Sequence, residues 1–356
     1  MAFRWWQEQV RPLDEAARLA ALARQGVLTK PAGSLGELES IAVALAAMQS
    51  NACPSLRKPW ISIFAGDHGI AVAGVSAYPQ AVTAQMVANF ARGGAAICVL
   101  AREIGATLEV VDVGVAGDTT GLTGVEQRKV ALGTANLLEG PAMSREQCEL
   151  ALAAGCASVN AAREAGADCF MAGEMGIANT SSASILAAAL LGETPSHLSG
   201  PGTGLDAAGV ARKGALLDAA LIKHASVSND AHAVLSALGG FEIAAMAGAY
   251  IAAAQTGIPI LVDGFISTVA ALVATRLNPG VRQWMLFAHQ SAEPAHARVL
   301  AALSGRPVLT LGMRLGEGSG AATAFPLLKL ACALHAQMAT FGEAGVSTAV
   351  ANESKV

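Results

Sequence analysis

The chain has 356 residues, 53% of them hydrophobic but only 4% aromatic, with 38 glycines. Its 23 basic and 27 acidic side chains give a formal charge of −4 without a long block of one sign, which argues against nucleic acid or an anionic membrane as partner. Six cysteines (Cys53, Cys98, Cys148, Cys156, Cys169, Cys332) are scattered with no C-x-x-C pair, as expected of reduced core thiols in a cytoplasmic protein, and residues 1–10 contain no apolar stretch of secretory-signal length.

A chain of this length accommodates one large α/β domain with a small appendage. Leu and Ala recur with helical spacing over residues 11–25 and 34–50, interrupted by Thr29, Lys30, Pro31 and Gly33. Residues 1–55 are therefore expected to form a helical N-terminal part that packs with the C-terminal helices. From Trp60 onward short apolar runs end in glycine-containing loops and lead into Ala-rich helical stretches. The runs predict strands over 60–64, 108–113, 169–172, 258–262, 284–287 and 307–311. Helices are expected near 81–104, 144–165, 181–191, 207–224, 241–255, 266–276, 293–303 and 318–338. Such alternation predicts a Rossmann-like parallel sheet flanked by helices over 56–340, with 341–356 as a tail. The uncharged stretch 243–262 has the length of a membrane span, but Gly257 and Pro259 divide it into a helix and a strand, so no span is expected.

Ligands of open parallel sheets sit at the carboxyl ends of the strands, and four glycine-rich loops fall there. The first contains Gly66, Asp67, His68 and Gly69, followed by Ser76, Ala77, Tyr78 and Pro79. Asp67 and His68 read equally well as ligand groups or as a turn cap and the partner of a buried carbonyl. The helix after this loop offers Gln85 and Asn89 as an amide lining. The second runs from Gly173 through Glu174, Met175, Gly176, Ile177 and Ala178 to Asn179, Thr180, Ser181 and Ser182. Helix capping explains one or two of these polar groups, whereas exposed N–H groups and hydroxyls at a helix start suit a phosphate. The third has Gly200, Gly202, Thr203, Gly204 and Asp206, with Lys213 further along a helix. Its lysine is too far from the loop for a P-loop. In the fourth, Glu317 lies between Gly316 and Gly318 among apolar neighbours, where a poorly hydrated carboxyl has the proton affinity of a general base. Asp112 with Thr119 and Thr120 only faintly echoes a phosphoribosyl pyrophosphate loop. The seven histidines offer no metal-binding spacing, so neither metal nor cofactor is expected.

These loops, together with Lys30-Pro31-Ala32-Gly33-Ser34-Leu35-Gly36, Asp263-Gly264-Phe265 and Ser291-Ala292-Glu293-Pro294, resemble the nicotinate-nucleotide:dimethylbenzimidazole phosphoribosyltransferases, in the same order from residue 30 to about 338. The resemblance implies a homodimer that converts nicotinate mononucleotide and 5,6-dimethylbenzimidazole into α-ribazole 5′-phosphate and nicotinate during cobalamin assembly. It implies Glu317 as general base and Glu174 as a second carboxylate near the reacting ribose. The expected nucleotide and phosphate ligands are Gly176, Ile177, Asn179, Thr180, Gly202, Thr203, Gly204, Lys213, Asp263, Gly264 and Ser291. Tyr78, Gln85, Met175 and Leu315 are the expected contacts of the base. Three positions depart from the family pattern: Ala178 and Ala295 stand where glycine is common, and Gln290 where arginine is frequent.

Overall fold

A computed structural model describes residues 4–227 and 230–347. Its centre is a seven-stranded sheet of β1 (Pro59–Gly66), β2 (Thr107–Gly114), β3 (Val125–Gln127), β4 (Cys169–Met175), β5 (Ile260–Val262), β6 (Met285–His289) and β7 (Pro307–Leu309). The strand order is β3-β2-β1-β4-β5-β6-β7 and every pairing is parallel. β1, β4 and β5 are buried almost throughout, as strands covered on both faces must be, and this is why they read as unbroken apolar runs. β3 escaped the sequence reading because a three-residue edge strand, Val-Glu-Gln, carries no apolar run.

The order reverses after β3, since the chain leaves one side of β1 and returns as β4 on the other. A crevice opens at the carboxyl end of the sheet at such a reversal. The return passes through helix Arg145–Glu164, started by a capping box in which Ser144 and Gln147 exchange hydrogen bonds. This helix lies against the buried helix Phe241–Thr256 with almost no side chain between them: a Cβ on Gly155 would overlap Ala245 O, and one on Gly248 would overlap Leu152 O. The abundance of Ala and Gly is thus explained by helices whose backbones touch.

The apolar stretch 243–262 is this helix, ended by Gly257 at φ +82° and followed by β5. The single helix expected over 81–104 is two, Val82–Ala91 and Ala96–Ile104, because Gly93 turns the chain at φ +75°. By length and composition alone Val82–Ile104 is apolar enough to cross a membrane.

The chain divides into two compact units. The larger holds the residues up to Arg11 and Arg57–Phe325, and so contains the whole sheet. The smaller combines Pro12–Leu56 with the chain from Pro326 onward. Within the smaller, Asp14 caps helix Glu15–Val27 through Ala17 N, Arg24 Nε donates to His335 O at 2.6 Å, and Leu28 bridges Thr340. Of the expected tail, Phe341–Ala344 form a short capped helix, and residues 348–356 lie outside the described residues.

Candidate active site

A cavity of about 450 Å³ opens at the carboxyl end of the sheet. Each strand from β4 to β7 delivers a wall from the residues that end or follow it: 174–177 after β4, 263–267 after β5, 289, 291 and 293 after β6, and 314–317 after β7. Tyr78, Val82 and Met86, after β1, and Asn179, Thr180, Gly202 and Thr203 complete the lining.

Glycines bring the two candidate carboxylates to one hollow. In the parallel pair β1–β4, Glu174 stands opposite Phe64, at the last turn of pleat before the crevice. Gly173, one residue earlier, lies so close to the 316–318 loop that a Cβ there would overlap the carbonyl carbon of Glu317 and the nitrogen of Gly318. A Cβ on Gly316 would likewise overlap Glu174 Oε1. Glu317 itself adopts φ +63°, a left-handed conformation that costs a non-glycine residue about 1–2 kcal/mol and recurs where function requires a fixed side chain.

Both carboxyls hold their protons more tightly than a solvated acid. Burial pushes Glu174 up to about 8, reinforced by the nearby negative charges of Glu242, Asp263 and Glu317, while the Asn179 amide donating to Oε2 opposes the rise. Burial also raises Glu317, and the backbone N–H of Ile97, 3.4 Å from Oε2 at the start of helix Ala96–Ile104, acts in the other direction. Near neutral pH burial and the neighbouring acids therefore favour the protonated form of Glu174, a point that its expected role beside a cationic sugar had not anticipated.

Beyond Asn179, which bonds Glu174, the lining carries groups that suit an anion. Thr180 opens helix Asn179–Leu191, and its Oγ1 accepts from Lys213 Nζ at 2.9 Å; Nζ also donates to Gly200 O at 3.3 Å. Lys213 sits well inside helix Ala207–Lys223, which Asp206 caps through Gly209 N. It is 1% exposed, and burial draws its ammonium down to about 8 although Glu293 favours the charge. A Cβ on Gly202 would come 2.7 Å from Thr180 Oγ1, so only glycine allows the two loops to meet. Arg314 Nη1 donates to Gly202 O at 3.0 Å, tying the loop after β7 to the same corner. Thr203 Oγ1 contacts Ser76 Oγ at 3.0 Å and accepts from Ala77 N.

Of the residues singled out in the sequence, Glu174, Glu317, Gly176, Ile177, Asn179, Thr180, Gly202, Thr203, Asp263, Gly264, Ser291, Tyr78, Met175 and Leu315 line the cavity. Gln85, Gly204 and Lys213 do not. Gln85 is exposed, and Met86 takes the wall position because one residue rotates the helix by about 100°. Gly204 is an exposed turn residue at φ +121°. Lys213 lies behind Thr180. Asp263 points its Oδ1 at Ala321 N, 2.7 Å away, and so also serves the N-terminus of helix Ser319–Gln337; burial raises its carboxyl to about 7 against several backbone N–H groups.

Sequence reasoning missed His289, Glu293 and Arg314. Glu293 stood within a quoted motif, whereas His289 carried no signal beyond closing a strand. His289 is 3% exposed, its Nδ1 has no hydrogen-bond partner, and burial holds the ring towards its neutral form. Asp67 and His68 are buried outside the lining: Asp67 accepts from Ala116 N, and His68 meets two side chains rather than a carbonyl. Asp112 is a turn carboxylate bonded by Gly114 N, Val115 N and Thr119.

The chain is 59% identical over 98% of its length to the nicotinate-nucleotide–dimethylbenzimidazole phosphoribosyltransferase of Ectopseudomonas mendocina (strain ymp), covering 99% of it. It is 57% identical, over 98% of its length and 99% of the relative, to the enzyme of that name from Pseudomonas aeruginosa (strain UCBPP-PA14). Among solved structures, CobT from Thermus thermophilus superposes with a TM-score of 0.91 at 44% identity, over 94% of this chain and 100% of that one. The phosphoribosyltransferase family model DBI_PRT matches residues 10–346, and the chain belongs to that family.

Proposed function

We propose that this protein transfers the 5-phosphoribosyl group of nicotinate mononucleotide to 5,6-dimethylbenzimidazole, releasing nicotinate and forming α-ribazole 5′-phosphate for the nucleotide loop of cobalamin. The observation that carries the reading is the pair Glu174 and Glu317, two buried carboxyls, one at the end of β4 and one in the loop after β7, that line one cavity together with Thr180 and Gly202, with Lys213 bonded behind Thr180.

In this reading the phosphate lies at the start of helix Asn179–Leu191, where N–H groups and the helix dipole favour an anion, with the Lys213 ammonium behind Thr180 and Arg314 beside Gly202. The ribose then falls beside Glu174. The pyridinium of the nucleotide is cationic, so its arrival lowers the proton affinity of Glu174 and converts the carboxyl into the anion that stabilises positive charge at C1′. Tyr78 and Leu315, 55% and 58% exposed at the rim, with Val82, Met86 and Met175, offer an apolar clamp for the flat base.

The C1′–N bond to nicotinate breaks with its electron pair going to the ring nitrogen, which leaves neutral and needs no general acid. A ring nitrogen of dimethylbenzimidazole forms the new bond from the opposite face and inverts β to α. The other nitrogen of the resulting cation gives its N–H proton to Glu317, whose raised proton affinity suits a base working near neutral pH. Positioning contributes as well, since both reactants are held in one hollow.

Incubation with nicotinate mononucleotide and dimethylbenzimidazole, followed by mass analysis, should reveal nicotinate and ribazole phosphate in equal amounts. Binding without nicotinate release would refute the reading. We further propose a cytoplasmic homodimer. The cytoplasmic part is supported by six cysteines with no disulfide among them, and the dimer by the family resemblance; a solution mass of one 35.8 kDa chain would remove the dimer.

A further inference from the structure

The Gly66, Asp67, His68, Gly69 run after β1 takes no part in the steps above, yet it seats a polar cluster against the cavity floor. His68 Nε2 lies 2.7 Å from Glu242 Oε1 and its Nδ1 lies 2.8 Å from Ser182 Oγ; all three side chains are fully buried. With a carboxylate at Nε2, that nitrogen carries the proton. Each partner leads to the site. Ser182 belongs to the first turn of helix Asn179–Leu191, whose Asn179 bonds Glu174 and whose Thr180 is held by Lys213. Glu242 opens helix Phe241–Thr256, and its Oε2, without a hydrogen-bond partner, faces Gly66 and Gly240, where a Cβ would come within 3.2 and 2.6 Å of it. Above the ring lies Gly176, a lining residue whose Cβ would stand 3.5 Å from His68 Cδ2.

We propose that His68 and Glu242 are positioning residues for phosphoribosyl transfer: a buried imidazole–carboxylate pair that orients the start of helix Asn179–Leu191 through Ser182 and sets the charge that Glu174 presents to the ribose. This rests on the transferase reading given above. The charged and titratable groups facing His68 are Glu242 and Asp67, and those facing Glu174 are Glu242, Asp263 and Glu317, with the Tyr250 phenol also within their field. Burial works against a charge on the imidazole, but Glu242 and Asp67 outweigh it and favour the cation. Glu242 also favours the proton on Glu174. The imidazolium is therefore the group that limits how strongly Glu242 acts on Glu174.

The test is the pH dependence of kcat/KM for nicotinate mononucleotide in the full-length protein and in Glu242→Gln, His68→Gln and the double variant. Removing the carboxylate should move the acid limb to lower pH by about one unit, a tenfold change in proton affinity, in Glu242→Gln and in the double variant. Removing only the imidazole should move the limb the opposite way. A purely structural role would lower the rates without opposed shifts. If His68→Gln, which leaves the Glu242 carboxylate buried without its partner, does not fold, the first and third variants decide the matter. An acid limb unmoved or raised in both would overturn the proposal. The imidazole ¹⁵N spectrum of ligand-free protein gives an independent reading, because a His68 signal unchanged by Glu242→Gln would also overturn it. Wild-type protein that releases no nicotinate would instead refute the transferase reading and leave that spectrum interpretable.

Discussion

Replacing Gly316 by alanine separates the two jobs that a glycine performs in this site. At φ +84° the new side chain meets a backbone conformation that costs an L-residue about 1–2 kcal/mol. Its Cβ would also stand well inside 3.0 Å of Glu174 Oε1, closer than real Cβ atoms come to any neighbour. Glu174 must then turn away. It is 7% exposed and bonded by Asn179, so turning means an off-rotamer side chain, about 0.5–1.5 kcal/mol, and a strained or broken hydrogen bond. The expected total is about 2–5 kcal/mol of stability, together with a fall in kcat of about 100-fold, because displacement of a reacting group by roughly 1 Å costs that much.

Gly105→Ala is the control. Gly105 ends helix Ala96–Ile104 at φ +68° with nothing within 4 Å of a Cβ, so it should lose only the conformational share, about 1–2 kcal/mol, with kcat unchanged. Denaturant unfolding and single-turnover release of nicotinate measure the two quantities on the same preparations. If Gly316→Ala kept wild-type turnover while losing the stability of the control, the contact with Glu174 would have no catalytic meaning and the placement of that carboxylate at the ribose would fail.

Glu317→Gln should reduce turnover by about 10²- to 10⁴-fold while calorimetry finds nicotinate mononucleotide binding little changed; near-normal turnover would remove Glu317 as the base. Glu174, raised to about 8, must lose its proton to act, and Lys213, lowered to about 8, must keep its own to hold phosphate. The free enzyme's kcat/KM for the nucleotide should therefore rise towards pH 8 and fall beyond it, and a flat profile between pH 6 and 9 would contradict both assignments. Lys213→Met should remove the alkaline limb and raise KM more than it lowers kcat, as measured by initial rates across the same pH range. Ala178→Gly should stabilise the protein by roughly 0.5 kcal/mol in chemical unfolding, because relief of strain at φ +77° exceeds the added chain entropy; a loss of stability would show that Ala178 is not strained.

Much of the site was legible in the sequence because its loops follow strands that are unbroken apolar runs. Once β4 and β7 are located, Glu174 falls at the end of a strand and Glu317 in a loop after one, both near glycines, Thr180 falls at a helix start and Gly202 in the turn before another helix. Local pattern could not place side chains that reach the cavity from within helices or across loops. Gln85 and Met86 differ by one step of helix rotation, and amide chemistry suggested the former while packing selected the latter. Arg314 and Glu293 become site residues only because the loops after β6 and β7 close on Gly200 and Gly202.

The sequence by itself determined the parallel sheet, the glycine hinges and the identity of the acids, since each depends on periodicity or on backbone freedom within a few residues. Tertiary structure alone decided the proton affinities and the partners. Glu174 is raised by burial and then by Glu242, 68 residues away in the chain, and Lys213 is desolvated behind Thr180. Burial and charge act through space, and the chain reveals which groups share a dry volume only when it is folded.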